Sequence, residues 1–392
     1  MSKRKLSFDY STKNTQPFNR KTFPVLHTDR YAGSSPVYKQ PREINSYSID
    51  ADRRVWFDDR ELKYYFKFTG HNLNLGFDKF IKRDESLLEH LDTLLDAVTD
   101  ARRKTTNPNT TNANFITWRG IMTKLLCTPY CRNEPWELRA TKYNDTIFIE
   151  EQTTAEKKEK EAQATVRQQL MSYWGYKFET LSTISILPKT INRDNYEEVI
   201  ESRIPEGADT NVQYCVAVKT TLGKNSVIMG AEVDCSRDEK CVNDPLRNYI
   251  ELKTSRYVEN EKQRRTYERF KLLKFWAQSF LAGVPTVIVG FRDDDGYIKE
   301  VKSLKTLEIP RQVRGRPGMW DPSVCLNFAN QVLDWLSDNI VDNDPTVTYC
   351  IKWQHPWREL VMECTGHDNV FLTKRFIDGE VSNNIGGPRA DV

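Results

Sequence analysis

Four charged residues, Glu232, Asp234, Glu251 and Lys253, sit at the ends of two short apolar runs in a chain of 392 residues. Val227-Ile228-Met229-Gly230-Ala231 leads into Glu232, and Tyr249-Ile250 leads into Glu251. Both runs favour extended backbone and read as strands. Residues two apart on a strand share a face, so Glu232 projects with Asp234, and Glu251 with Lys253. Two neighbouring strands would then bring three carboxylates and one ammonium to one spot, an arrangement that is electrostatically costly without a further cation. Hard divalent ions such as Mg²⁺ or Mn²⁺ take carboxylate oxygens, main-chain carbonyls and water. No imidazole lies nearby and Cys235 is a lone thiol, so zinc and copper fit poorly. A pair of hard ions activates a water and stabilises the leaving oxygen of a phosphodiester. Lys253 beside them can orient that water or neutralise phosphate charge.

Asp234, then 16 intervening residues (251 − 234 − 1), then Glu251-Leu252-Lys253 has the form of an Asp…Glu-x-Lys nuclease core. Glu-x-Asp and Glu-x-Lys are each common on solvent-facing strands. Three further features favour the metal reading: glycines at 175 and 230 ahead of carboxylates, Glu179 as an additional carboxylate, and a polar stripe of Lys271, Lys274 and Gln278. That stripe has the spacing i, i+3, i+7 on the helix that follows the Glu251 strand.

The elements that must position these residues follow from local patterns. Gln213 to Leu222 and Ser226 to Asp234 form a hairpin around Gly223-Lys224-Asn225, and Trp136 to Glu150 forms another around Asn144-Asp145. Leucines at 87, 88, 91, 94 and 95 predict a helix over 84–103, capped near Asp84. The second half of Glu151 to Tyr173 reads as a helix that stops at Gly175, followed by a short strand over Gly175 to Thr180 carrying Glu179. Val55 to Phe68 is strand-like and aromatic, and Phe115 to Gly120 enters a strand or turn. Glu259 to Ala282 is the longest helix, its buried face built from Leu272, Leu273, Phe275, Trp276 and Phe280. Thr286 to Ile309 reads as a hairpin, Pro322 to Ile340 as a helix, and strands are expected near 347–353, 360–364 and 370–377. Helices and strands are mixed along the chain, which argues for an α+β fold with a large central sheet.

Lys+Arg at 58 against Asp+Glu at 55 gives a net charge of +3, so any nucleic-acid footprint must be local. Mean hydropathy is −0.66, no run approaches the roughly 18 apolar residues that span a bilayer, and no signal-peptide h-region follows Met1. No membrane partner is expected. Eight scattered cysteines lack a C-x-x-C pair and read as reduced thiols of a cytosolic or nuclear protein. Five dispersed histidines give little support to a Ser-His-Asp triad. Residues 1–50 read as a polar arm with Lys3-Arg4-Lys5 as a nuclear-localisation candidate. Residues 51–378 form the catalytic domain and 379–392 a polar tail.

These motifs, in order, resemble those of the decapping exoribonuclease (DXO) family, which includes the nuclear fungal protein that partners the main nuclear 5′-to-3′ exoribonuclease. Trp118-Arg119-Gly120, Gly175-Tyr176-Lys177-Phe178-Glu179, Glu232-Val233-Asp234 and Glu251-Leu252-Lys253 match the first four motifs. Lys274 to Phe280 and Gly290-Phe291-Arg292 resemble the fifth and sixth. The resemblance implies a single α+β domain with mixed sheets flanked by helices and a restriction-nuclease-like core. It implies Glu179, Asp234, Glu251 and the Leu252 carbonyl as metal ligands, with Glu232 reaching the ions through water. Lys253 and Gln278 would contact the scissile phosphate and the nucleophilic water, and Arg119 the 5′-end phosphates or the following backbone. Members remove incomplete RNA 5′ ends: pyrophosphate from a triphosphate, an unmethylated guanosine cap or a nicotinamide-dinucleotide cap. Some also degrade the exposed RNA from 5′ to 3′. Two alternatives stand beside this reading: a DNA nuclease of restriction-like fold, and a non-catalytic stabilising partner of a nuclear exoribonuclease. Between a nuclear and a cytoplasmic location, the basic N-terminus favours the nucleus.

Overall fold

Alternating burial along the chain resolves into two β-sheets that share one core; the computed structural model describes residues 20–67, 72–367 and 369–379. The elements that position the site are, in chain order, β1 (Phe115–Trp118), α1 (Arg119–Cys127), α2 (Val166–Ser182), β2 (Gln213–Leu222), β3 (Asn225–Glu232), β4 (Cys235–Ser236), β5 (Tyr249–Arg256), α3 (Leu272–Ala282), β6 (Thr286–Arg292) and β7 (Ile298–Lys305). The larger sheet has ten strands in the order Lys21–Pro24, Glu359–Gly366, Thr348–Trp353, Trp136–Tyr143, Thr146–Gln152, β1, β3, β2, Arg42–Ile49 and Val55–Trp56. In it β1 runs parallel to both neighbours, whereas β2 and β3 are antiparallel. The smaller sheet runs β7, β6, β5, β4, Tyr64–Tyr65 and Thr183–Ile184, with β5 and β6 parallel.

β3 lies near the middle of the larger sheet and is covered on both faces. Val227, Met229 and Ala231 enter the main core, while Ile228 packs with Tyr47, Leu94, Leu95 and Val98 on the opposite side. Burial on both faces explains why this strand reads as a continuous apolar run. Leu125 of α1, Trp276 of α3 and Phe328 of the helix Pro322–Asn339 fill the main core together with Val287 and Val289 of the smaller sheet. This is the expected α+β domain of mixed sheets flanked by helices. All three predicted hairpins form. Asn144 and Asp145 take φ 47° and 58°, as a two-residue type I′ turn requires, and Gly223 takes φ +60° at the first position of its two-residue turn.

Several local expectations are overturned. Gly175 to Thr180 is not a strand but the middle of α2. Buried Tyr173, Trp174, Phe178 and Leu181 follow helical spacing, the capping box at Thr165 and Gln168 starts the helix, and Gly175 faces open space. The helix expected from Asp84 begins at Asp92, because Leu87 and Leu88 point into solvent and the core positions are Leu91, Leu94, Leu95 and Val98. Within the strand-like stretch from Val55, only Val55–Trp56 and Tyr64–Tyr65 pair. The third C-terminal strand is a short helix, Lys374–Ile377, capped by Thr373. Lys21–Pro24 and Arg42–Ile49 belong to the larger sheet rather than to a polar arm, since Phe23 packs on Phe328 and Trp335, and Tyr47 and Ile49 are buried. Lys3-Arg4-Lys5 and the tail beyond Gly379 lie outside the described residues. Among the described residues no helix is long and apolar enough to cross a membrane. All eight cysteines are free.

Candidate active site

The two acid-bearing strands are not neighbours, contrary to the simplest reading of their alternation. β3 belongs to the larger sheet and β5 to the smaller one. The chain leaves β3 at Glu232, buries Val233 in the main core, and joins the smaller sheet at β4, which pairs antiparallel with β5. Asp234 therefore sits at the crossing between sheets. Its Oδ2 accepts a hydrogen bond from the Leu252 N–H at 2.5 Å, so the acid pair still converges on Glu251-Leu252-Lys253.

On β5, Glu251 and Lys253 do share a face, with Lys253 Nζ 2.5 Å from Glu251 Oε1. The side chain of Glu251 is only 2% exposed. Arg119 opens α1 directly after β1, whose residue Trp118 is in register with Gly230 of β3, and its guanidinium lies 3.7 Å from Glu251. A Cβ on Gly230 would meet the Trp118 ring at 2.4 Å, so glycine is what lets the ring lie flat beside the site. Glu179 arrives on α2, whose neighbour Phe178 packs against Gly290 so closely that a Cβ there would come within 2.5 Å. Glu179, Glu232 and Asp234 line one pocket with Tyr176 and Gln213.

Charge in this pocket is unbalanced. Glu179 is pushed well above the usual carboxylate range by burial and then by Asp234 and Glu232. Asp234 is pushed up to about 7 by burial and by Glu251. Glu232 is the most exposed of the four, and its pKa is also raised, by desolvation where its carboxylate faces the pocket and by Glu251. Glu251 alone falls below the ordinary value: burial pushes it up, but Lys253 and Arg119 outweigh that. Burial lowers the Lys253 pKa, yet Glu251 and Asp234 carry it above the ordinary lysine value. Four carboxylates thus share Lys253, Arg119 and, at the rim beside Glu179, Lys63. That donor set, all oxygen and in excess of its counter-charges, fits a hard divalent ion. Among the described residues, no three His, Cys, Asp or Glu side chains are drawn together into a closed ligand shell.

Glu179, Glu232 and Asp234 line the pocket, and the Leu252 N–H on Asp234 ties them to the adjoining Glu251, Lys253 and Arg119 ion pairs. Leu252 buries its side chain in the smaller sheet's core and commits its N–H to Asp234. Gln278 lies half-buried on α3, which packs against α1, and no hydrogen bond joins it to the carboxylates. The longest predicted helix is interrupted by a π turn over Tyr267–Lys271, at the head of the polar stripe, and Lys274 of that stripe turns to Glu134 at 2.7 Å. Tyr176, an aromatic of the second motif, walls the pocket. Sequence reasoning misses one contributor: Gln213 Nε2 donates to Glu232 Oε2 at 3.1 Å. Counting pairs outward from the Gly223-Lys224 turn puts Cys215 opposite Glu232 and Gln213 on the diagonal, so the hairpin register contained that signal.

Comparison with known proteins agrees with this geometry. The family model described as RAI1 like PD-(D/E)XK nuclease matches residues 39–377. The chain is 43% identical to the decapping nuclease RAI1 of Neurospora crassa over 329 residues, 82% of this chain and 78% of that protein. Candida albicans Rai1 in complex with pU5-Mn²⁺ superposes with a TM-score of 0.82 at 28% identity, covering 92% of this chain and 98% of the other. Scheffersomyces stipitis Rai1 in complex with (3′-NADP)⁺ and calcium ion superposes with a TM-score of 0.80 at 28% identity, over 92% and 99% of the two chains.

Proposed function

The chain belongs to the RAI1-like PD-(D/E)XK nuclease family, and from that membership and the site we propose a metal-dependent hydrolase that removes incomplete RNA 5′ ends. The observation that carries this reading is the excess of carboxylates over cations on an Asp…Glu-x-Lys core whose Glu251 is buried. Glu179, Asp234 and Glu251 are the side chains that would hold Mg²⁺ or Mn²⁺, with the Leu252 carbonyl and, through water, Glu232. A bound divalent ion supplies an activated water and neutralises charge on the phosphate. The protein's own cations do the rest of the electrostatic work. Arg119 and Lys253 are aimed at phosphate oxygens by their shared partner Glu251. Gln213 holds Glu232 in place and the Leu252 N–H holds Asp234, while Gln278 on α3 would contact the scissile phosphate and the nucleophilic water.

Product analysis with 5′-triphosphate RNA tests the reading. Pyrophosphate release that depends on Mg²⁺ or Mn²⁺ is expected, and Asp234→Ala should lower it at least about 100-fold while the fold survives. Undiminished turnover in that variant would overturn the assignment. A released capping dinucleotide or mononucleotides, from capped or monophosphate RNA, would identify the further activities. We also propose a nuclear location and a nuclear 5′-to-3′ exoribonuclease as protein partner. The family resemblance and the basic Lys3-Arg4-Lys5 cluster support this. Loss of co-purification with such an exoribonuclease from nuclear extract would sink it.

A further inference from the structure

Arg53 lies in the turn that joins the strands Arg42–Ile49 and Val55–Trp56 and takes φ 63°, a left-handed backbone that glycine or asparagine adopts at lower cost. Local hydrogen bonds close this turn. The Arg53 N–H donates to the Asp50 carbonyl at 2.9 Å, and the Asp50 carboxylate accepts from the N–H groups of Asp52 and Arg54 and from the Trp56 indole. None of these bonds uses a guanidinium, so glycine would serve the turn better. A bulky residue kept in a strained conformation points to a task for its side chain.

The guanidinium joins three segments of the chain. Its Nε and Nη2 form a bidentate pair with Glu89 at 3.0 and 2.6 Å, and its Nη1 donates to the Asn211 carbonyl at 2.8 Å and to Gln213 Oε1 at 2.7 Å. Glu89 fixes the plane of the fork, and the remaining edge is aimed at the start of β2. A structural tie between the turn and the segment ahead of the helix Asp92–Lys104 would need only the Glu89 pair. The two Nη1 bonds go beyond it.

Gln213 carries the contact onward, since its Nε2 donates to Glu232 Oε2 at 3.1 Å. An amide has one accepting end and one donating end, whereas a guanidinium only donates. Arg53 therefore decides which way the Gln213 amide faces, with Oε1 towards Arg53 and Nε2 towards Glu232. Without the guanidinium the amide is free to turn over, and its oxygen would then oppose the Glu232 carboxylate. Glu89, Arg53, Gln213 and Glu232 form one directional chain, of which Gln213 and Glu232 line the carboxylate pocket and Arg53 stands behind it.

We propose that Arg53 is a positioning residue for the carboxylate pocket: by fixing the Gln213 amide it holds Glu232 in the orientation from which that carboxylate reaches a divalent ion through water. Groups that orient a ligand in this way tune metal affinity without touching the ion. The assignment rests on the metal-dependent RNA 5′-end reading of the pocket and adds to it a residue outside the pocket.

The test is a double-mutant cycle on Arg53→Gly and Gln213→Met, read by calorimetric Mn²⁺ binding without RNA and by pyrophosphate release from 5′-triphosphate RNA. Each single variant should weaken Mn²⁺ binding about tenfold and lower kcat about tenfold, with KM for RNA changed less than about twofold. The double variant should lose no more than about threefold beyond the weaker single, because one broken link already releases Glu232. Arg53→Lys keeps one donor for Gln213 Oε1 and should recover at least about threefold of the Mn²⁺ affinity that Arg53→Gly loses. Thermal melts report on folding, and where Arg53→Gly does not fold the same cycle runs on Arg53→Lys. Losses that multiply to about a hundredfold in the double variant, or a folded Arg53→Gly with the Mn²⁺ affinity of the wild type, would each overturn the proposal. A wild type that binds Mn²⁺ but releases no pyrophosphate would remove the RNA 5′-end reading and leave Arg53 to be judged by the Mn²⁺ cycle alone. A wild type that binds no Mn²⁺ would overturn both.

Discussion

Two clusters of buried charge lie side by side between the sheets, and they are built on opposite terms. Around Lys240, the charged atoms meet partners. Its Nζ is 2.6 Å from Glu43 Oε1 and 3.2 Å from Asp59 Oδ1, and donates to Ser46 Oγ and the Tyr214 hydroxyl. The Tyr249 hydroxyl donates to Glu43 Oε2 at 2.8 Å, and the Tyr214 hydroxyl to Asp59 at 2.6 Å. Glu43 comes from the larger sheet and Tyr249 from the smaller, so this network staples the two together. In the carboxylate pocket next to it, four acids share three cations, Lys253, Arg119 and Lys63, and three of the acids are forced towards their protonated forms. Buried charge that is satisfied internally holds the fold; buried charge left in excess is a site for something that arrives from outside.

The sharpest way to break this comparison is to open the satisfied network. Lys240→Met leaves Glu43, whose side chain is 6% exposed, buried without its cation, and should cost about 3 kcal/mol in chemical denaturation. Adding Glu43→Gln should return a large part of that loss, because the pair is coupled. If Lys240→Met is as mild as substitution of a surface lysine, the staple interpretation fails.

How much of this is legible in the sequence differs between the two clusters. The pocket's Glu251 and Lys253 can be read from strand alternation, and the hairpin that delivers Glu232 from its turn residues. Alternation places Asp234 correctly for a partly wrong reason. It reaches Glu251 by crossing between sheets, and no local pattern encodes a change of sheet at a single buried valine, Val233. Glu179 stands out as a ligand candidate, but on the wrong element, since Gly175 looks like a stop and tertiary burial of Trp174 and Phe178 overrides it. The Lys240 network is invisible in sequence. Glu43, Asp59, Tyr214, Lys240 and Tyr249 come from five separate segments, and only the finished topology brings them together. The π turn is equally hidden, because a single inserted residue leaves helical apolar spacing almost intact.

The next effect is smaller and has the opposite sign to that of the staple. With its folded pKa near 7, against about 3.9 in the unfolded chain, Asp234 favours the protonated form in the folded protein. Its contribution to stability is therefore fully present below about pH 4 and is lost as pH rises through about 7. Without added metal, Asp234→Asn should raise stability at about pH 8 by on the order of 2 kcal/mol and flatten this pH dependence. Thermal melts in chelator provide the measurement. Mn²⁺ should reverse the order, stabilising the wild type more as pH rises, because the ion displaces the proton. A wild type whose metal-free stability is flat between about pH 4 and pH 8 would show that the pocket holds no excess charge.

The smallest effect concerns a third group, His90, whose Nδ1 lies 2.7 Å from the buried Glu150. The hydrogen bond to Glu150 raises the His90 pKa above 6.5 in spite of burial. A raised histidine pKa stabilises the fold fully below about pH 6.5, and that gain disappears as pH climbs through the folded value. His90→Gln should therefore cost about 1 kcal/mol at about pH 6 and less at about pH 9, read from paired denaturation curves. Activity is the discriminating readout. Trp118, the neighbour of Arg119, donates its indole N–H to the backbone carbonyl of His90, a hydrogen bond that the substitution leaves in place. Because His90 belongs to a satisfied pair, its removal should change stability without changing turnover per folded molecule. A fall in turnover that tracks the loss of the His90 charge would mean that satisfied and excess charge are coupled through Trp118, and that the two kinds of cluster are not separable.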